Sequence, residues 1–207
     1  MKKQDYKTYL IETEPAVKHL FSGLSKYDSV YYPSITDYTD STGRVNMSKK
    51  EAEFVVKASE NYLFYDFSRA ILAGSILQVA FKYIELFSKN MRIPESCLEI
   101  GVNKNKTVKY CIGREIHNLP LGLYIYAGRN QYNHWEGGEE LHTVTKNIFL
   151  QLQKTYYDDT MNDLIYFLGH PNIRPFAHFL IRFEFKWSNY EDYLTDMKVL
   201  LKRNEVG

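Results

Sequence analysis

Residues 119–135 of this 207-residue chain read LPLGLYIYAGRNQYNHW. The first part of this stretch is apolar and the second is polar and ionisable, so we expect a core helix whose last turns carry functional groups. Arg129 and His134 are five residues apart, a spacing that turns their side chains about 140° from each other on an α-helix. They can line one cleft only if the helix ends or bends near them, or if a second subunit supplies the other wall.

Composition favours one ordinary folded domain covering residues 1–207. Apolar residues make up 44% of the chain, charged residues 25%, and the formal net charge is +1. That charge balance excludes a polybasic protein that binds nucleic acid over its whole surface, although a local basic site remains compatible with it. The 18 tyrosines and 12 phenylalanines are expected to fill the core, with a minority available to stack on bases.

The N-terminus and the two cysteines bear on location. Residues 1–5 lack the apolar segment of a signal peptide, and we find no uninterrupted apolar run of about 18 residues. We therefore expect a cytoplasmic protein that does not enter a membrane. Cys97 and Cys111 are expected to be free thiols, because they lack zinc-site spacing and the cytosol is reducing.

The N-terminal half is expected to be helical around one long loop. Apolar spacing predicts a helix over 15–24 with Pro15 in its first turn, and residues 28–47 read as an ordered loop. Ser48 and Glu51 have the spacing of a capping box. The helix that follows continues to about residue 89, and its length favours a break near 66–68.

Residues 97–113 interrupt the helical pattern. Two short β-rich segments flank a polar tetrapeptide at 103–106, which predicts a small β-hairpin. This segment is also the most basic part of the chain, and its lysines are interpreted as a solvated hairpin tip or as an arm that binds phosphate.

The C-terminal half is predicted to be helical again. We expect a helix from Asn118, as its N-cap, to about Trp135, ended by Gly137 and Gly138. Further helices are expected over 139–154, 158–168 and 176–201, the last divided by a second capping box at Ser188–Glu191, with a strand over 183–187 as an alternative. The chain is therefore predicted to be a mostly all-α helical bundle with a small inserted β-hairpin.

The sequence from Arg129 to His134 resembles the signature of the HEPN superfamily, the higher eukaryotes and prokaryotes nucleotide-binding domains. That signature is an arginine, four to six residues and a histidine, often with a polar residue directly after the arginine, as Asn130 is here. The all-α expectation agrees with the family's helical core. In a toxin subset the motif continues to His-x-Tyr, whose tyrosine is nucleotidylated by an antitoxin. Glu136 stands at that position, so we do not expect this regulation.

The resemblance implies a ribonuclease that needs neither metal nor cofactor. Members of this family commonly form homodimers that cleave RNA, often as toxins or antiviral effectors, so RNA, a second copy and an antitoxin or regulatory protein are the expected partners. By this resemblance Arg129 and His134 are catalytic and Asn130 supports them. The neighbouring Gln131, Tyr132 and Asn133 are candidate substrate-binding residues.

Three other interpretations of these residues stay open. Arg129 and His134 near a helix C-terminus could simply interact with its carbonyl groups and dipole. A non-catalytic helical module could use the same residues to bind RNA, a nucleotide or a partner protein. A metal hydrolase has weaker support, because the Glu139-x-x-His142 spacing lacks a second copy.

Overall fold

The computed structural model describes residues 5–29, 35–103, 106–134, 140–156, 168, 170 and 175–201, without the side chains of 35–36 and 59–65. The helices in these ranges are α1 (Tyr6–Asp28), α2 (Lys49–Phe87), α3 (Glu95–Glu99), α4 (Leu121–His134), α5 (Thr143–Thr155), α6 (Ala177–Phe179) and α7 (Tyr190–Leu200). The other regular elements are 3-10 turns (Ile35–Tyr38 and Lys106–Tyr110), a π-helical turn (Leu180–Glu184) and the strands β1 (Glu115–Ile116) and β2 (Leu119–Pro120). The prediction of a mostly α-helical fold with a small hairpin is confirmed.

Helix α1 begins earlier than the apolar spacing indicated. The Asp5 side chain accepts a hydrogen bond from the Thr8 backbone N–H at 2.8 Å and caps the helix. The prediction that Pro15 stands in the first turn is therefore wrong, because Pro15 lies in the middle of a 23-residue helix. The core packing of Val17, Phe21 and Leu24 supports the helix around this proline.

Helix α2 is one unbroken helix of 39 residues. The capping box is confirmed, since Ser48 and Glu51 bond to each other's backbone N–H groups. The predicted break near 66–68 is wrong. No proline or glycine stands there, and packing against α1 and α4 supports the helix through its C-terminal half.

The segment Asp66–Phe87 of α2 is long and apolar enough to cross a membrane by length and composition. Charged residues interrupt the apolar run, so we did not expect this segment from the sequence. Half of this window is buried inside the protein, and core helices of soluble proteins also pass this test.

The predicted hairpin over 97–113 is wrong in its position. Helix α3 and a 3-10 turn occupy the described part of this range, and residues 104–105 lie outside the described residues. Apart from the exposed Leu98, the apolar residues described here are buried in the core instead of alternating across a sheet. The side chain of Asn90 donates hydrogen bonds to the carbonyl groups of Val108 and Cys111, at 2.8 and 3.3 Å, and so takes acceptors that a strand partner would otherwise use.

The hairpin instead lies directly before α4. Strands β1 and β2 pair antiparallel, and His117 and Asn118 form the two-residue turn with φ angles of 46° and 66°. Two left-handed residues are what a tight type I′ hairpin turn requires. The prediction that Asn118 caps the helix is therefore wrong, and α4 begins at Leu121.

The C-terminal region is divided as the sequence indicated, but with different local structure. Helix α6 continues into the π-helical turn, so the strand over 183–187 does not form. The capping box of α7 uses Asn189 and Asp192, one residue later than predicted. The predicted helix over 158–168 and the glycine stop at 137–138 lie outside the described residues, except for Leu168.

Helix α4 crosses the protein between α2 and the π-helical turn, and a glycine permits the contact. A Cβ atom on Gly128 would collide with Leu180 and come within 2.8 Å of Leu77. Close approach here fixes the position of α4 and so places the residues of its last two turns.

Candidate functional site

The candidate residues divide between two faces of α4. With about 100° of rotation per residue, Arg129, Asn133, Asn130 and His134 follow one another within a sector of about 140°. Arg129 and Asn130 are half-buried, and Asn133 and His134 are exposed. This sector of α4 faces solvent, so the four side chains are accessible together. We refer to these four residues as the α4 polar sector.

The guanidinium of Arg129 is held by α2 and by its own helix. Its Nε donates to Oε1 of Gln78 at 2.9 Å, and its Nη1 donates to Oδ1 of Asn130 at 3.0 Å. When the Asn133 amide oxygen is turned toward the guanidinium, it accepts from Nη2 at 3.2 Å and from Nε at 3.1 Å. Arg129 is therefore anchored by uncharged acceptors.

Aromatic rings form the floor beneath Arg129. Its Cζ atom lies 4.6 Å from the centroid of the Phe81 ring. Phe81 stacks on Tyr110 and Tyr126, with centroid distances of 5.0 and 6.3 Å. A cation over an aromatic face is attracted by the ring quadrupole, and most strongly where water is excluded. Phe81 is 9% exposed, so little of the ring beneath the guanidinium meets water.

Asn130 connects the arginine to the aromatic floor. Burial raises the pKa of the Tyr126 hydroxyl, while a hydrogen bond with Asn130 and the charge of Arg129 act in the opposite direction. The net shift is upward, so Tyr126 remains a neutral phenol at physiological pH. Asn130 is thus tied to both Tyr126 and Arg129, which orients its side chain.

His134 is the last described residue of α4 and is exposed. On an ideal helix Arg129 and His134 are about 7.5 Å apart along the axis. The sector between them is occupied by Asn130 and Asn133.

Gln131 and Tyr132 belong to the packed face of α4, so their proposed contact with substrate needs correction. Gln131 is fully buried, and its Oε1 accepts a hydrogen bond from the backbone N–H of Phe176 at 3.0 Å. The ring of Tyr132 lies against Gly74, where an added Cβ would come within 2.6 Å of it. Both residues hold α4 in place and do not point into the exposed sector.

Gln78 and Phe81 of α2 contact Arg129, and neither was expected from the sequence. One signal was available in the sequence, since Gln78 is the polar residue within the apolar run ILQVAF at 76–81. The contact itself depends on how α2 and α4 cross, and residue spacing within one helix does not contain that information.

Histidines also lie outside α4. His178 stands in α6, and its Nε2 lies 2.8 Å from Oδ1 of Asp28. His142 precedes α5, and Glu139 lies outside the described residues. Among the described residues no group of three or more histidine, cysteine, aspartate or glutamate side chains could hold a metal ion.

Two basic residues of 97–114, Lys109 and Arg114, have partners within the protein. The Nζ of Lys109 donates to the Glu85 carbonyl at 3.2 Å, and Arg114 pairs with Asp196 at 3.0 Å. These contacts favour the interpretation of this segment as a folded surface over an arm that binds phosphate.

No family model, curated protein or solved structure matches the chain. The resemblance to the HEPN signature therefore depends on the residues from Arg129 to His134 and on their position at the end of a core helix.

Proposed function

We propose that this protein is a metal-independent endoribonuclease of HEPN type. The observation that carries the proposal is the α4 polar sector, in which a positively charged Arg129 and His134 at the helix end face solvent together. Within the described residues no carboxylate pairs with Arg129, since Gln78, Asn130 and Asn133 are all neutral. The full charge of the guanidinium is thus available to a phosphate.

The reaction that suits these groups is transfer of a phosphoryl group within RNA, from the 5′-oxygen to the neighbouring 2′-oxygen. The 2′-oxygen forms a bond to phosphorus and gives its proton to a base, while the bond from phosphorus to the 5′-oxygen breaks and that oxygen receives a proton from an acid. The products are a 2′,3′-cyclic phosphate and a 5′-hydroxyl. Histidine can serve as either base or acid near neutral pH, and positioned proton transfer contributes about 10²–10⁴ in rate. We assign this task to His134.

Arg129 supplies the remaining requirement, which is stabilisation of negative charge on the phosphorane. Arginine stays protonated, and its planar donors match phosphate oxygens. Because Gln78, Asn130 and Phe81 already hold the guanidinium, little reorganisation is needed as charge develops in the transition state. Asn133 is exposed beside Arg129 and is the remaining candidate for contact with substrate.

In the proposed homodimer, two copies of the α4 polar sector meet, and each site combines Arg129 of one subunit with His134 of the other. Mixing Arg129→Ala and His134→Ala proteins tests this arrangement. If sites are shared between subunits, the mixed dimer contains one site with both residues intact and regains part of the wild-type rate. A mixed dimer that forms but stays inactive would contradict a shared site.

The resemblance extends the proposal to a bacterial defence or toxin role in the cytoplasm, with RNA as substrate and an antitoxin or regulatory protein as a partner.

A helical module that binds RNA, a nucleotide or a partner protein without cleaving it is the second candidate. It is favoured by the fact that Arg129 is tied to neighbours within the chain, as structural and binding arginines often are. The two candidates differ over His134. A binding module tolerates its loss, whereas a nuclease does not.

The test is cleavage of labelled RNA by the purified protein in excess EDTA. Wild type is compared with Arg129→Ala, His134→Ala and the control His19→Ala, which removes an exposed histidine on α1. We expect wild type and His19→Ala to cleave, and the two site variants to be folded and inactive. Folded wild-type protein that leaves RNA intact, or a His134→Ala protein that cleaves equally well, overturns the nuclease proposal.

A further inference from the structure

The contact between Gln78 and Arg129 joins the long helix α2 to the α4 polar sector. Gln78 Oε1 accepts from Arg129 Nε at 2.9 Å, and Gln78 stands one turn before Phe81 on the same side of α2. The two residues of α2 therefore hold the guanidinium from its edge and from its face.

Counting donors shows which part of the guanidinium remains available. Arginine has five N–H groups, one on Nε and two on each terminal nitrogen. With the Asn133 amide oxygen turned toward the guanidinium, Gln78 and Asn133 share the Nε hydrogen, Asn133 also takes one hydrogen of Nη2, and Asn130 takes one of Nη1. Among the described residues nothing accepts the other two N–H groups, one on each terminal nitrogen. A single phosphate can accept both of them.

The chemical type of Gln78 suits this arrangement. Its amide oxygen fixes Nε without adding negative charge, whereas a glutamate at the same place would hold Nε more strongly and neutralise the guanidinium. Gln78 is exposed, and an exposed hydrogen bond of this kind contributes little to folding stability. The contact is therefore better explained by the orientation of Arg129 than by stability of the fold.

We propose that Gln78 is a positioning residue, which aims the two remaining N–H groups of Arg129 at one phosphodiester of bound RNA. This inference rests on the proposed function. It adds a residue from a different helix, which the signature from Arg129 to His134 does not include, and it requires the residue to be a neutral acceptor.

The test compares Gln78→Ala and Gln78→Glu with wild type and with the control Ser75→Ala. Ser75 lies one turn earlier on α2, and its hydroxyl bonds to the Ile71 carbonyl instead of to Arg129. Cleavage is measured as separate kcat and KM values. Binding is measured on the same RNA with 2′-deoxy sugars, which cannot be cleaved, across a range of salt concentrations.

We expect Gln78→Ala to keep its thermal midpoint and its affinity for uncleavable RNA, while kcat falls about tenfold to a hundredfold because Arg129 is no longer aimed. Gln78→Glu is expected to bind RNA more weakly. The slope of log affinity against log salt concentration should become shallower by about 0.7, the contribution of one phosphate contact to a single strand. Ser75→Ala is expected to behave as wild type.

Each other outcome overturns the inference and identifies what failed. If wild type cleaves RNA and both Gln78 variants retain its kcat and affinity, Gln78 has no positioning role and the proposed function stands. If Gln78→Ala loses activity only as it loses thermal stability, the residue is structural. If wild type does not cleave RNA, the proposed function fails and the role of Gln78 in it fails as well.

Discussion

The guanidinium carbon of Arg129 lies 4.6 Å from the centre of the Phe81 ring, so a charged residue of α4 rests on an aromatic residue of α2. Phe81 is itself stacked on Tyr110 at 5.0 Å. The arginine is thereby placed by the core of the protein and not by a loop. This relationship makes the orientation of Arg129 sensitive to changes in α2.

Replacing Phe81 with leucine tests this dependence. The change keeps an apolar side chain but removes the ring, and a cation–π contact contributes about 0.5–2 kcal/mol. We expect the RNA cleavage rate per folded molecule to fall roughly 2- to 30-fold. Phe87→Leu is the matched control, because Phe87 packs on Tyr9 and Tyr83 on the same helix. An equal loss in both variants would contradict a specific role for the Phe81 ring.

The close crossing at Gly128 predicts an effect on stability. Gly128→Ala places a methyl group against Leu77 and Leu180, and overpacking of this kind costs about 1–3 kcal/mol. The control is Gly23→Ala in α1, where the added Cβ stays 3.3 Å from Leu72, whereas at Gly128 it comes within 2.4 Å of Leu180. Urea unfolding should show a loss for Gly128→Ala and little change or a gain for Gly23→Ala. Equal stability of the two variants would show that α4 does not need the close contact.

Gln131 offers a direct test of the structural role assigned to it. Gln131→Leu leaves the buried N–H of Phe176 without its acceptor, at a cost of about 1–3 kcal/mol in the free energy of unfolding. The cleavage rate per folded molecule should stay unchanged. Asn133→Ala should lower the cleavage rate per folded molecule and leave the free energy of unfolding unchanged, because Asn133 is exposed and lies beside Arg129. A Gln131→Leu protein of normal stability with impaired cleavage would restore Gln131 as a substrate-binding residue.

Asp28 predicts how stability depends on pH. Its carboxylate lies 2.8 Å from His178 Nε2 and 2.6 Å from Arg182 Nη2. Partial burial raises the pKa of Asp28, but the hydrogen bond with His178 and the charges of His178 and Arg182 outweigh it, so the pKa lies below its usual value.

Because the pKa of Asp28 is lowered in the folded state, its ionised carboxylate contributes to the free energy of unfolding. This contribution is fully present above the unfolded pKa of about 3.9 and is lost as pH falls through the folded pKa. After screening by water it is on the order of 1 kcal/mol. The stability difference between wild type and Asp28→Asn should therefore shrink as pH falls below about 4. A difference that stays constant or grows below about pH 4 would contradict this assignment. Thermal unfolding of wild type and Asp28→Asn at a series of pH values measures this stability difference.

Local sequence signals predicted much of the helical fold. The Ser48 and Glu51 capping box and the polar end of α4 were recognisable because each depends on residues within one turn of each other. The hairpin was misplaced because Cys97 and Cys111 stand in β-rich segments that pack in the core without pairing as strands. The side chain of Asn90 donates to the carbonyl groups of Val108 and Cys111. Asn90 is 18 and 21 residues away from them, so local patterns in the sequence could not reveal these contacts.

The candidate site was predictable only in part, for the same physical reason. Arg129, Asn130 and His134 belong to one short motif, so their spacing could be read directly. The burial of Gln131 and the contact with Gln78 follow from which face of α4 meets α2, and that is decided by packing around Gly128.

We propose that this chain cleaves RNA by attack of a 2′-hydroxyl, with Arg129 and His134 at the reacting phosphate. The chemistry of the product ends after incubation in excess EDTA tests this, using one RNA and its partner with a single 2′-deoxy sugar at the cleaved position. We expect a 2′,3′-cyclic phosphate and a 5′-hydroxyl from the RNA, and no cleavage at the deoxy position. Products with 5′-phosphate ends, or cleavage that continues at the deoxy position, would contradict it.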